Sequence, residues 1–270
     1  MLPVGGPVPP ARMPRWRDGR PLKRWRYAGV FAEDLLCCFG VVSIGGLPQC
    51  FWGVWDREAR VLRERTRLRH GPVRIADGLV RVRDRGIAAD LAFDEHAGGA
   101  VEVVSPHGDS YAWTRKRAGI GFAGDVVVDG VSRSVVARGV LDDSAGYHAR
   151  ETAWAWSAGV GTAEDGARVA WNLVAGLHDA PAGSERAVWV AGTPTETAPV
   201  RFAEDLTEVA AADGSLALRC SIEAVRERHD RLGPLRSRYA QPFGAFAGVL
   251  PGGRELAAGL GVMERHDARW

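Results

Sequence analysis

Four side chains carry the acid–base chemistry on offer in this sequence: Asp142, His148, Glu264 and His266. An imidazole close to carboxylates titrates near neutral pH and can move protons as acid or base. His148 stands in "DDSAGYHARETAWAWSAG", between Asp142 and Asp143 on one side and Glu151 on the other. Glu264 and His266 stand in the closing stretch "ELAAGLGVMERHDARW". If that stretch is a strand, Leu256, Ala258, Leu260, Val262, Glu264, His266 and Trp270 share one face. An apolar face then runs directly into an acid and a histidine. Such groups must be paired or have shifted pKa values. The pattern fits a general acid/base pair, and it also fits a polar latch that ties the chain's end into the fold. "DDSAG" likewise reads as good turn chemistry.

A second set of residues suits holding a ligand. In "ETAWAWSAG", Thr152, Trp154 and Trp156 alternate onto one face and Ala153, Ala155 and Ser157 onto the other. Two indoles on one face either line a cavity for an extended apolar molecule or pack in the core, where each N–H needs a partner. Tyr147 precedes them. Asn172, the only asparagine of the chain, lies in "RVAWNLVAGL" on the face of Ala170 and Val174. It must bond a ligand or a neighbouring polar group. Arg236 and Gln241, in "LRSRYAQPFG", fall near a strand end, as do Glu185 and Arg186 in "SERAVWV".

Period-2 alternation positions these groups. Runs such as "RWRYAGVF", "QCFWGVWD", "TAWAWSAGV" and "FGAFAGVL" are separated by turns such as "ADG", "VDG" and "PGG". One strand and turn per ten or so residues is the pattern of an all-β protein. The best helical candidate, "IEAVRERHDRL", also reads as a strand end with a polar loop. Well over a dozen strands exceed the roughly eight of a small closed barrel. The expectation is two packed antiparallel β-domains, residues 23–138 and 139–270, after an extended leader over 1–22. A groove between them is a natural ligand site.

Composition removes other classes. The net charge is +2 over 270 residues, which gives no electrostatic case for nucleic acid or membrane as partner. The seven Lys/Arg residues from Arg12 to Arg26 read as a solvated arm. Lysine occurs only at 23 and 116 and Arg supplies the other basic residues, a GC-rich coding bias that points to a bacterial source. Arginine excess is therefore no sign of phosphate binding, whereas the lone Asn and an internal Lys gain interest. No apolar run reaches membrane-span length and the first residues lack a signal peptide's apolar core. Cys37, Cys38, Cys50 and Cys220 have neither disulfide-framework nor zinc spacing. A cytoplasmic protein with reduced thiols is expected, with no cofactor and no metal. "GIGFAG", Gly119–Gly124, matches the letters of a dinucleotide fingerprint but is followed by the strand-like "DVVVDG", not a helix. A metal site from His148, His178 and His266 would have to come from tertiary structure, since their spacing argues for nothing.

The stretches "LKRWRYAGVF", "FWGVWDRE", "SPHGDSYAWTRKRAG", "TAWAWSAGVG", "WNLVAGLHDAPAGSERAVWV", "LRSRYAQPFGAFAGVL" and "GVMERHDARW" together resemble family 2804 of the bacterial domains of unknown function. The resemblance runs from about Pro21 to the C-terminus. More distantly the chain is similar to tandem lipocalin-like proteins: carotenoid hydratases, tocopherol cyclases and pericyclic cyclases. That likeness implies two lipocalin-like domains holding an apolar small molecule as partner. It further implies hydration, cyclisation or isomerisation without an organic cofactor, or simple carriage of a lipid-like ligand. Trp154, Trp156, His148 and Glu264 fall where it implies ligand and acid chemistry. "YHARETAW" departs from the acidic-His motif of the hydratases.

Overall fold

The structure, a computed structural model, describes residues 6–107, 109–233 and 235–269. Trp270, expected on the face of His266, lies outside them.

The described residues form strands and no helix. A short hairpin comes first, β1 (Trp16–Arg17) and β2 (Arg20–Pro21). Ten strands follow: β3 (Lys23–Phe31), β4 (Leu35–Ile44), β5 (Leu47–Asp56), β6 (Val61–Arg67), β7 (Val73–Ala76), β8 (Leu79–Asp84), β9 (Ile87–Phe93), β10 (Ala100–His107), β11 (Ser110–Val128) and β12 (Val131–Gly146). They make one antiparallel sheet in the order β6-β5-β4-β3-β12-β11-β9-β8-β7, with β10 on β11. The second sheet holds β13 (Glu151–Ala163), β14 (Arg168–Ala175), β15 (Ala187–Val190), β16 (Thr193–Glu196), β17 (Val200–Phe202), β18 (Glu208–Ala211), β19 (Ala217–Leu232), β20 (Leu235–Leu250) and β21 (Arg254–Arg269). Its order is β16-β15-β14-β13-β21-β20-β19-β18-β17.

The two orders are one topology used twice. In each, a meander of strands brings its first strand back against its last, β3 on β12 and β13 on β21. Each meander is open between its fourth and fifth strands. This is the up-and-down plan of lipocalin-like barrels, here in two packed copies.

Packing explains the apolar runs. In "LLCCF", Leu35, Cys37 and Phe39 face the core inside the first sheet, while Leu36 and Cys38 face the second sheet. A strand buried on both faces reads as continuous apolar sequence. The same holds in β14, where Val169, Trp171 and Leu173 enter the second sheet's own core and Ala170 and Val174 the shared one. Among the described residues three apolar layers result, one within each sheet and one between them, beside a smaller cluster around Met13 and Leu22. All four cysteines are free and buried. Charged clamps join the sheets at the edge of the shared layer. Arg57 donates to both oxygens of Glu223, at 2.8 and 2.7 Å, and Arg226 pairs with Glu64 at 2.7 Å.

Several local expectations change. "IEAVRERHDRL" is wholly part of strand β19. "DDSAG" is not a turn but the end of β12, held between β11 and β3. The expected cut at 138/139 falls inside β12, and the first sheet extends to Gly146 before the second begins at Glu151. The basic leader is not a free arm. Met13 and Leu22 are buried with Tyr111 and Tyr147, and Pro7 and Pro14 accept hydrogen bonds from those two tyrosines. A bulge at Ala257 shifts the register between β21 and β13, so Leu256 turns into the second sheet's core instead of sharing the face of Val262. "GIGFAG" runs within β11.

Candidate functional site

A cavity of about 470 Å³ lies between the two sheets, at the end of the shared apolar layer. The starts of β3 and β13 and the ends of β19 and β21 converge there. Its apolar wall is Trp25, Tyr27, Phe51, Trp154, Trp156 and Val174. Both expected indoles face it because alternation in β13 holds, while Ser157 on the opposite face accepts the Trp171 indole N–H at 3.0 Å.

Glu264 is the acid in this wall. It is buried, and the Trp154 indole N–H donates to its Oε1 at 2.9 Å. Its Oε2 accepts from the Tyr239 hydroxyl at 2.8 Å and from Gln241 Nε2 at 3.2 Å. Burial raises the carboxyl above its ordinary value, against the opposing pull of the Trp154 and Tyr239 hydrogen bonds. Burial likewise pushes Tyr27 and Tyr239 well above 10, so both remain hydroxyl donors. A carboxyl of raised pKa in an apolar wall is suited to act as a proton donor.

His266 stands beside it on β21. Its ring meets Trp154 edge-on at 4.4 Å and Tyr239 at 5.4 Å, and its Nε2 lies 2.8 Å from Ser237 Oγ. Burial, then Lys23 and Arg226, lower its pKa to about 4. It is therefore neutral at pH 7.

Asp142 also lines the cavity, through an ion cluster rather than a turn. Lys116 Nζ sits 2.5 Å from Asp142 and 3.3 Å from Glu185, all three buried. Burial pulls the Lys116 pKa down, but the two carboxylates outweigh it and the net direction is up. Glu185 is raised, chiefly by burial. Both lysines of the chain face this cavity. Lys23 differs from Lys116: burial lowers it to about 7.

The other expected residues divide. Arg236 lies exposed at the rim with Arg228, Asp230 and Arg231. Asn172 and Gln241 stand behind the wall. Asn172 Oδ1 accepts the Trp156 indole N–H at 2.8 Å and its Nδ2 donates to the Glu185 carbonyl at 2.9 Å. Gln241, fully buried, reaches the cavity only through Glu264 and Tyr27. These two orient the wall and do not touch its surface. Tyr147 is outside the cavity, its hydroxyl donating to Pro14 of the leader at 2.7 Å. His148 is also off the wall. It stacks on Trp25 at 5.2 Å, and Trp25 in turn stacks on Trp154. Burial holds His148 well below 6.5, so it is neutral. Its neighbours are His107 and His178, with one ring nitrogen of each within 4.8 Å of the others. Of the described residues these three alone group as a metal ion's ligands would.

Sequence reasoning passed over Trp25, Tyr27, Arg226 and Tyr239. Arg226 is buried in the shared layer, over the rings of Phe51 at 4.4 Å and Tyr239 at 5.0 Å. It was hidden in the polar string "RERHDR", where only alternation could have separated it from its exposed neighbours.

The architecture, two packed antiparallel meanders with a cavity between them, defines a lipocalin-like tandem β-protein. The chain belongs to the family described as Domain of unknown function (DUF2804), which matches residues 72–270. No curated protein matches it by sequence. Solved structures share its fold. Kievitone hydratase from Nectria haematococca aligns with TM-score 0.55 at 9% identity, over 90% of this chain and 88% of that one. CghA aligns with TM-score 0.56 at 11% identity, over 99% and 95%, and its complex with Sch210972 with TM-score 0.54. A putative AttH from Nitrosomonas europaea aligns with TM-score 0.50 at 11% identity, over 97% and 99%.

Proposed function

We propose that the protein binds an apolar small molecule, of lipid, isoprenoid or polyketide type, in the cavity between its sheets and transforms it by proton transfer. Hydration, cyclisation and isomerisation of a carbon–carbon double bond are the reactions in view. The observation that carries the reading is Glu264: a buried carboxyl of raised pKa, gripped by three donors in a wall of aromatic rings.

In this reading Glu264 delivers a proton to the double bond. The cation that forms lies against Trp154 and Trp156, whose faces stabilise it by ~0.5–2 kcal/mol. Addition of water gives an alcohol once the added water loses a proton; attack by a second double bond closes a ring and moves the cation to a new carbon, which then loses a neighbouring proton; direct loss of a neighbouring proton gives an isomer. In each case the released proton returns to the Glu264 carboxylate, with Asp142 and neutral His266 as the other acceptors facing the cavity. Two of the similar folds carry compatible names, a hydratase and a protein solved with a small molecule bound. The alternative, a carrier or sensor of the same ligand class, shares the cavity and lacks only the proton transfer.

The test is a fluorescence titration of the wall tryptophans with a panel of polyenes, isoprenoids and fatty acids, followed by product analysis. The proposal expects a ligand that quenches wild type and Glu264→Gln alike but is converted only by wild type. Equal binding with no conversion by either chain supports the carrier, and no binding across the panel removes both readings.

A further inference from the structure

We propose that His107, His148 and His178 form a three-imidazole site for a divalent transition-metal ion of the zinc class. The three come from separate parts of the fold. His107 ends β10, His148 lies in the link between the sheets, and His178 lies in the loop after β14. Their ring centroids are 5.4, 5.6 and 5.6 Å apart, a nearly equilateral triangle. A nitrogen about 2.0 Å from zinc puts each centroid about 3.2 Å from the metal, and a tetrahedral angle then separates the centroids by about 5.2 Å. The rings cross at 57°, 88° and 74°, the splayed arrangement of ligands around a point rather than a stack.

Polar bookkeeping points the same way. His148 and His178 are buried, and neither nitrogen of either ring makes a hydrogen bond of normal geometry. Buried polar atoms left so are rare and call for an occupant such as an ion or water. His178 holds its place with a backbone φ of 53°, a strained angle for a non-glycine residue. Imidazole nitrogens suit zinc, cobalt, nickel and copper rather than magnesium or calcium. Three protein ligands leave a fourth position to water. His178 also lines the cavity, so the site borders it.

The experiment uses the untagged full chain, stripped by chelator and dialysed, then titrated calorimetrically with Zn²⁺ and, separately, read by visible absorption with Co²⁺. The expected result is one metal per chain and the absorption of four-coordinate cobalt. His107→Ala and His178→Asn should each weaken binding by at least ~100-fold. The exposed His70→Gln and His96→Gln should leave it unchanged. Substoichiometric binding by wild type overturns the proposal without recourse to any variant. So does a His178→Asn chain, folded by circular dichroism, that binds as tightly as wild type.

Discussion

Replacing His266 by Gln tests whether the cavity holds a neutral imidazole against its own tendency to charge. Around the ring stand Lys23, Arg226 and Asp230 as charged groups, with Ser237, Tyr239 and Trp154 in contact. Burial and the two cations lower the pKa from 6.5 to about 4. At about 1.36 kcal/mol for each tenfold in proton concentration, that difference is worth about 3 kcal/mol in full. Between pH 6.5 and 4 the unfolded chain binds a proton at this position and the folded chain does not. Stability present above pH 6.5 is therefore lost as the pH falls. By pH 4.5 the loss traceable to His266 is about 2 kcal/mol. His148 and His178, also lowered, add losses of the same sign, and Glu264, raised, opposes them. Comparing wild type with His266→Gln cancels those shared contributions. Urea unfolding at pH 7 and pH 4.5 should show wild type losing about 2 kcal/mol more than the variant. Equal losses in the two chains would refute the reasoning, because His266 would then titrate as it does in water.

Three further outcomes follow from the same geometry. Asn172→Ala removes the acceptor of the Trp156 indole N–H and should cost ~1–3 kcal/mol in chemical unfolding, with a change in tryptophan emission. Lys116→Met leaves the Asp142 and Glu185 carboxylates uncompensated and buried, and should lower stability by ~3–5 kcal/mol at pH 7, recovering in part as the pH falls and Glu185 protonates. Lys23, lowered to about 7, should undergo reductive methylation by formaldehyde at pH 7 well before Lys116, as read by peptide mass mapping; the reverse order would contradict the pKa assignments.

Much of this was legible in the sequence wherever alternation is unbroken. Trp154 and Trp156, and Glu264 with His266, share the faces that period 2 gives them, and all four reach the cavity. The reading failed where the face changes. A single extra residue at Ala257 sends Leu256 into another layer, and "DDSAG" has turn composition but lies at the end of a long strand between two neighbours. Pattern shows which residues share a face, not what lies opposite, so Asn172, read as a polar group on an apolar face, and Gln241, read as near a strand end, face protein partners rather than the cavity. The value given to rare residues had some basis, since both lysines and the lone asparagine surround the site. The pairing of His148 with His107 and His178 joins three distant segments, and no spacing within one segment encodes it. The division into two packed β-domains was legible, from the number of strands and from the likeness to tandem lipocalin-like proteins; that both follow one strand order was not, because two barrels of one plan need only the same alternation, not the same residues.

The central claim is that the cavity holds an apolar molecule and that Glu264 moves a proton on it. Native mass spectrometry of wild type and Glu264→Gln, each purified gently from the native host and then solvent-extracted, tests this most directly. The account predicts an apolar molecule in both chains, with an unconverted precursor on the variant that differs from the wild-type cargo by a double bond's hydration or rearrangement. An empty cavity in both, or one identical molecule that neither chain changes, would contradict it.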